Sequence, residues 1–267
     1  MKKLNFNLSA TALSLFVSCP WAFEQSKILN KIVVSKPAAT LVLAQAFHDL
    51  MKTFYNNKNF NVKILFDSWE DAFNKKTKEY KCTDPYLNYA KNSGYTMIKN
   101  WIIMAKANKW LREARYFGND YAVELEFLLP FENDRYIINV HGFIDIILEI
   151  DDKFYIIDWK TGKYYDYYIY QALIYSWAFN KKYQFVEERV LFVHPAKKVN
   201  DIFFIKVNDE DYNKILKLAN KLFDCVDENK FKKNKGDHCR YCDFIDCENN
   251  TNDTLKVYIK QVELIAK

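Results

Sequence analysis

Residues 136–150 and 154–160 form two consecutive stretches so apolar that a strand built from either would be covered on both faces. Ile144, Ile146, Ile147 and Leu148 in the first, and Phe154, Tyr155, Ile156 and Ile157 in the second, leave no polar alternation. Such runs mark central strands of a covered sheet rather than a wet edge. Yet Asp145, Asp158 and Lys160 sit inside them. Charged groups in a dry strand need a partner or a cation. The turn between the stretches centres on Asp151 and Asp152, so antiparallel pairing sets Asp145 opposite Asp158. Directly opposed side chains hold their Cβ atoms roughly 4.5–5.5 Å apart, and two carboxylates at that distance repel unless a cation lies between them. Lys160 shares the face of Asp158 because strand side chains alternate. A solvated cross-strand salt bridge is the plain alternative; the apolar flanks argue against it.

The chain has 267 residues and is 50% hydrophobic, with only five Gly and five Pro, which suits one large domain with a substantial core and no clear linker. Three parts are expected: a mostly helical region 1–120, a sheet region 121–208, and a segment 209–267 of helix, cysteine cluster and terminal helix. The fold class is α/β (α+β), a central mixed sheet with helices. Charge is modest, 39 basic against 34 acidic residues, which permits a nucleic-acid partner without demanding one. Residues 1–19 resemble a lipoprotein leader ending at Cys19, but Asn5, Asn7, Ser9, Thr11 and Ser14 interrupt its apolar run. No other segment is long and apolar enough to span a membrane, so a cytoplasmic protein is expected.

Helices are expected from Ser9, a candidate N-cap, to Pro20, then over about 38–55, 64–78 and 86–116. Strands follow from about 121, over 136–150 and over 154–160. After a break at Thr161-Gly162 come a helix over 165–179, strands over 189–194 and 202–207, and a helix over 209–226. His48 stands on an apolar helix face, where a satisfied core histidine is the plain reading. Gln171 and Tyr175 lie one helical turn apart and project from one face. Of six cysteines, Cys239, Cys242 and Cys247 fall within nine residues, which suits metal binding better than a disulfide framework; Cys82 and Cys225 read as small buried hydrophobes.

Together Gly142-Phe143-Ile144-Asp145, Asp158-Trp159-Lys160 and Gln171 with Tyr175 resemble the RecB-like group of PD-(D/E)XK nucleases. His48 stands where that group carries a helical metal-binding histidine, with Ala44 in place of the usual glycine four residues earlier. Cys19-Pro20 followed by Cys239, Cys242 and Cys247 is similar to the iron-sulfur staple of AddB-type nuclease domains and CRISPR-associated exonucleases. The resemblance implies a restriction-endonuclease-like core and phosphodiester hydrolysis with Mg²⁺ or Mn²⁺. It implies His48, Asp145, Asp158 and the Trp159 carbonyl as metal ligands, Lys160 to orient the attacking water or neutralise developing charge, and Gln171 and Tyr175 to position the substrate strand or Lys160. Glu124 and Glu126 are both candidates for a second ion, and alternation does not choose between them. The four cysteines would hold a [4Fe-4S] cluster, with structural Zn²⁺ as the alternative occupant. Tyr164, Tyr165, Tyr167 and Tyr168 are candidates for base stacking or for core packing. The implied substrate is DNA, single-stranded or frayed, cleaved by an exonuclease. A helicase or another recombination or CRISPR-type protein is the implied partner, and a catalytically silent DNA-binding or assembly module is the competing reading.

Overall fold

In the computed structural model, the described residues are 4–31, 39–56, 61–108, 111, 122–150, 152–162, 168–184, 187–196 and 202–253. The chain divides into two compact units: one comprises Met1–Lys36, Leu129–Val140 and Asn213–Lys267, the other Pro37–Leu128 and His141–Tyr212.

The first unit opens with β1 (Leu4–Ser9), which leads directly into α1 (Ala10–Ser18). Ser9 is the N-cap, its side chain accepting the Ala12 N–H at 3.1 Å. α1 buries Ala12, Leu13 and Phe16, so the stretch that looks like a leader is built into this unit. Cys19, in extended backbone, separates α1 from α2 (Pro20–Phe23), where Pro20 supplies a preset first helical residue. The hairpin of β2 (Val123–Glu132) and β3 (Tyr136–Ile150) turns at Asn133, whose side chain accepts the N–H groups of Arg135 and Tyr136, each at 2.8 Å. The Tyr136 ring stacks on Phe223 of α7 (Asp209–Glu228) at 5.4 Å. α7 buries Ile215, Leu218, Ala219, Leu222 and Phe223, one stripe at helical spacing. β1 pairs with β3, which runs on into the second unit.

In the second unit, α3 (Ala39–Asn56), α4 (Lys63–Glu79) and α5 (Leu87–Ala107) pack a core through Phe47, Leu50, Phe54, Leu65, Trp69 and Trp101. Gly94 makes the α4–α5 contact possible, since a Cβ there would sit 1.8 Å from the Trp69 ring. α5 stops at Ala107, short of the expected 116: Asn108 leaves the helical conformation at φ −119° and ψ 88°, and its side chain donates to the Met104 carbonyl; residues 109–110 and 112–116 lie outside those described. The lysine-bearing terminal helix expected after the cysteines also lies outside them.

β4 (Lys153–Trp159) pairs antiparallel with β3 in the register that the turn demands, Ile146 opposite Ile157 and Ile147 opposite Ile156. α6 (Tyr168–Tyr183) then carries the chain to β5 (Glu187–Val193), parallel to β4, as a crossover allows. β6 (Ile202–Ile205) closes the sheet against β5. Ile146, Leu148, Ile157 and Trp159 join the core of α3–α5. Alternation sends Ile147, Ile156 and the two aspartates to the other face, where Phe154 meets Phe179 of α6 at 5.6 Å. β3 and β4 are covered on both sides over residues 144–148 and 156–159, which is why these stretches are apolar on both faces.

Candidate active site

Asp145 and Asp158 are brought together at the open end of the β3–β4 ladder, 7% and 2% exposed. Asp145 Oδ2 accepts the Trp159 N–H at 2.7 Å, while its Oδ1 lies 3.3 Å from Nδ1 of His48. His48 follows Phe47 at the margin of the buried stripe of α3, and its side chain is 26% exposed, so it is not an enclosed core histidine. Trp159 lays its indole against Tyr55 at 6.0 Å, which anchors this end of β4.

Asp158 turns its carboxylate toward α6. Its Oδ1 accepts from Gln171 Nε2 at 3.1 Å, and its Oδ2 faces the Lys160 ammonium at 2.5 Å as an ion pair rather than a well-angled hydrogen bond. Lys160 Nζ donates to Gln171 Oε1 at 2.6 Å and sits 4.4 Å above the Tyr168 ring. Gln171 Nε2 also donates to the Tyr175 hydroxyl at 2.7 Å. The amide of Gln171 thus ties acid, lysine and tyrosine into one network. Gly142 belongs to the same construction: a Cβ there would lie 2.8 Å from the Phe127 ring, which packs edge-on against Tyr175 at 5.9 Å.

Glu124 is the residue that sequence alone left undecided. The structure turns it to the site: among the described residues, one group of three donors converges to the spacing of a single ion, His48, Glu124 and Asp145, with ligand atoms all within 4.8 Å. Glu124 is half-buried and Glu126 is exposed. The difference comes from the backbone, since Glu124 has φ +52°, a left-handed conformation that a non-glycine residue adopts at a cost. Alternation treats Glu124 and Glu126 alike, so no periodic signal marks this irregularity.

Three carboxylates therefore face one lysine and one imidazole. Burial opposes the charge on His48, but Asp145, by its charge and hydrogen bond, and then Asp158 and Glu124, outweigh it and lift the imidazole pKa to about 9. Burial lifts Asp158 to about 6, against the pull of Lys160. Glu124 is raised by burial and then by Asp145. Burial, followed by the charges of Asp158 and Asp145, holds the Tyr175 phenol well above its usual range. The imbalance is what a bound cation would relieve, and two carboxylates with one imidazole suit Mg²⁺ or Mn²⁺.

The cysteines lie apart from this site in sequence and belong to the first unit. Cys19, Cys239 and Cys247 are buried and Cys242 is half-buried, all of them unpaired thiols. Burial pushes the Cys242 thiol up, a backbone N–H at Phe244 opposes this, and Cys247, Cys19 and Cys239 push it up further, so the four share one neighbourhood. Asn250 fastens the segment by donating to the carbonyls of Cys242 and Phe244, both at 2.9 Å. Trp21 N–H donates to the Lys232 carbonyl at 3.1 Å, and its ring meets Phe244 at 5.5 Å, joining the two halves of the cluster. Tyr168 is buried and stacked on Phe192, a packing role, while Tyr164, Tyr165 and Tyr167 lie outside the described residues.

A model of the PD-(D/E)XK nuclease superfamily matches residues 7–247. The chain belongs to that superfamily. In this PD-(D/E)XK protein the two strand acids, the lysine and the helical glutamine stand on the core elements described above. Among solved structures, it is similar to the crystal structure of a "Putative exonuclease" from Eubacterium rectale, with TM-score 0.51 and 11% identity over 88% of this chain and 87% of that one. It also matches the crystal structure of SSO0001, with TM-score 0.42 and 15% identity over 94% and 88% of the two chains. Identities this low speak to fold alone. No curated protein matches the chain.

Proposed function

We propose that this nuclease-superfamily protein is a metal-dependent exonuclease on single-stranded or frayed DNA ends, with its two compact units serving one nuclease domain. The observation that carries the proposal is the convergence of His48, Glu124 and Asp145 within 4.8 Å beside the Asp158–Lys160–Gln171 network. His48, Glu124, Asp145 and Asp158, with the Trp159 carbonyl, hold Mg²⁺ or Mn²⁺. When bound, the ion would supply Lewis-acid chemistry, polarising the phosphate and acidifying a water. Lys160, kept in place by Gln171 and the Tyr168 ring, neutralises charge that develops on the phosphate. Gln171 and Tyr175 act through Lys160 and Asp158 as positioning residues. The exonuclease reading draws on the likeness of the Cys19, Cys239, Cys242 and Cys247 pattern to CRISPR-associated exonucleases, and a separate helicase or another recombination or CRISPR-type protein is its proposed partner. The proposed compartment is the cytoplasm; among the described residues no helix is long and apolar enough to cross a membrane.

The proposal includes a structural [4Fe-4S] cluster on Cys19, Cys239, Cys242 and Cys247. Structural Zn²⁺ is the alternative occupant of the same four thiols. End-labelled single- and double-stranded DNA, incubated with Mn²⁺, Mg²⁺ or chelator, tests the activity. Metal-dependent shortening from an end by wild type, lost in Asp158→Ala and Lys160→Ala, is expected. Metal-independent DNA binding without cleavage would instead favour the silent assembly module.

A further inference from the structure

A groove of about 410 Å³ opens in the compact unit that also holds the metal site. One of its walls is a single face of α5, Tyr89, Asn92, Ser93 and Thr96, spaced as neighbours on a helix surface. Across the groove stands Thr161, the residue directly after Lys160. The floor is apolar, with Met97 buried beneath the polar wall. Leu43, also in the lining, precedes His48 by five residues on α3, about 7.5 Å along the helix axis. The chain segment just after β4 therefore connects the groove to the catalytic lysine.

The lining defines what fits. It contains no charged side chain, so it does not grip a phosphate by charge. It does offer one large exposed ring, Tyr89 at 74% exposure, and a row of amide and hydroxyl groups. The Ser93 hydroxyl donates to the Tyr89 carbonyl at 2.9 Å, leaving its oxygen to accept from a ligand. Among the described residues the Asn92 amide makes no hydrogen bond that would compete with one. The wall opposite α5 is fixed as well, since Asn100 donates to the Pro195 carbonyl at 2.8 Å and so holds the turn that carries Ala196. A volume at the small end of ligand pockets takes one nucleoside rather than a run of bases.

We propose that this groove is a nucleotide subsite, in which an unpaired base next to the scissile phosphate stacks on Tyr89 and presents its edge to Asn92, Ser93, Thr96 and Thr161. A paired base has its hydrogen-bonding edge taken by its partner, which a pocket for one nucleoside cannot also admit, so the groove selects single-stranded ends over duplex. The inference rests on the nuclease reading above and adds to it the element that distinguishes unpaired substrate.

Full-length protein tests it by steady-state cleavage of a short single-stranded oligonucleotide with Mn²⁺. Tyr89→Ala is expected to raise KM roughly 5- to 100-fold, the loss falling on KM rather than kcat, and Tyr89→Phe to restore it. Ser93→Trp, which fills the groove, raises KM likewise, with melting curves confirming that each variant is folded. In an Asp158→Ala background, a 2-aminopurine base next to the cleavage position dims on binding, and Tyr89→Ala abolishes that quenching. Wild type that cleaves while Tyr89→Ala keeps its KM and its quenching overturns the subsite alone. Wild type that neither binds nor cleaves any nucleic acid overturns the nuclease reading beneath it.

Discussion

Asp145 Oδ2 accepts the backbone N–H of Trp159 at 2.7 Å, so just past the paired residues Ile146 and Ile157 a side chain replaces a carbonyl as acceptor. The same carboxylate faces His48 through its other oxygen. One residue thus closes the strand pair and opens the metal site.

Removing that acceptor separates stability from chemistry. Asp145→Ala leaves a buried N–H without a partner, which costs about 1–3 kcal/mol, and is expected to lower Tm by about 3–10 °C. Asp145→Asn keeps an oxygen for Trp159 and is expected to melt within about 2 °C of wild type. Cleavage is lost in both. Equal Tm losses in thermal melts of the two variants would contradict the dual role.

Glu124 carries its strained backbone for the site rather than for the fold. Glu124→Gly removes both the left-handed strain and a carboxylate crowded by Asp145, and is expected to hold or raise Tm by about 2–4 °C. Calorimetric titration should show Mn²⁺ affinity weakened at least roughly tenfold in the same variant. A clear fall in Tm would mean that Glu124 serves the strand.

Metal affinity should climb with pH. With its pKa at about 9, His48 holds a proton at neutral pH that a cation must displace. Mn²⁺ affinity is expected to rise up to about tenfold per pH unit between pH 7 and 9, with close to one proton released per ion at pH 7.5. Titrations in buffers of differing ionisation enthalpy measure that release. For the metal-free protein the sign is opposite. The raised histidine stabilises fully below pH 6.5, and this contribution fades as pH rises through about 9. Asp158, raised by burial, adds a loss of stability as pH climbs toward about 6. A metal-free Tm that increases from pH 6 to 9 would refute this account.

The cysteine cluster is expected to act on the fold rather than on the chemical step. Anaerobically purified protein should be brown, with iron and sulfide near four per chain. Cys19→Ala breaks a link between positions far apart in the chain and is expected to lower Tm by about 5–15 °C. The fraction that stays folded should keep its kcat. Zinc in place of iron, or lost kcat at unchanged Tm, would overturn this assignment.

Much of the fold was legible because its signals are local. Two doubly covered strands, a turn at Asp152, an N-cap at Ser9 and the helices α3 and α7 each follow from neighbouring residues, and β3 spans the very residues 136–150 that the apolar run marks. β1 escaped because its six residues read as the front of a leader, and only pairing with β3 makes them a strand. The expected helix end at 116 overshot because periodicity does not register a side chain such as Asn108 folding back on Met104.

The site divides along the same line. Sequence by itself determined the β3–β4 register, Ile146 opposite Ile157, that leaves Asp145 and Asp158 just past its open end, since the turn fixes which residues pair. Tertiary structure decided that His48 meets Asp145, that Gln171 bridges acid to lysine, and that Glu124 rather than Glu126 turns inward. Those choices depend on how α3 and α6 pack on the sheet and on one left-handed residue in β2, and no local repeat in the chain encodes a distance between elements.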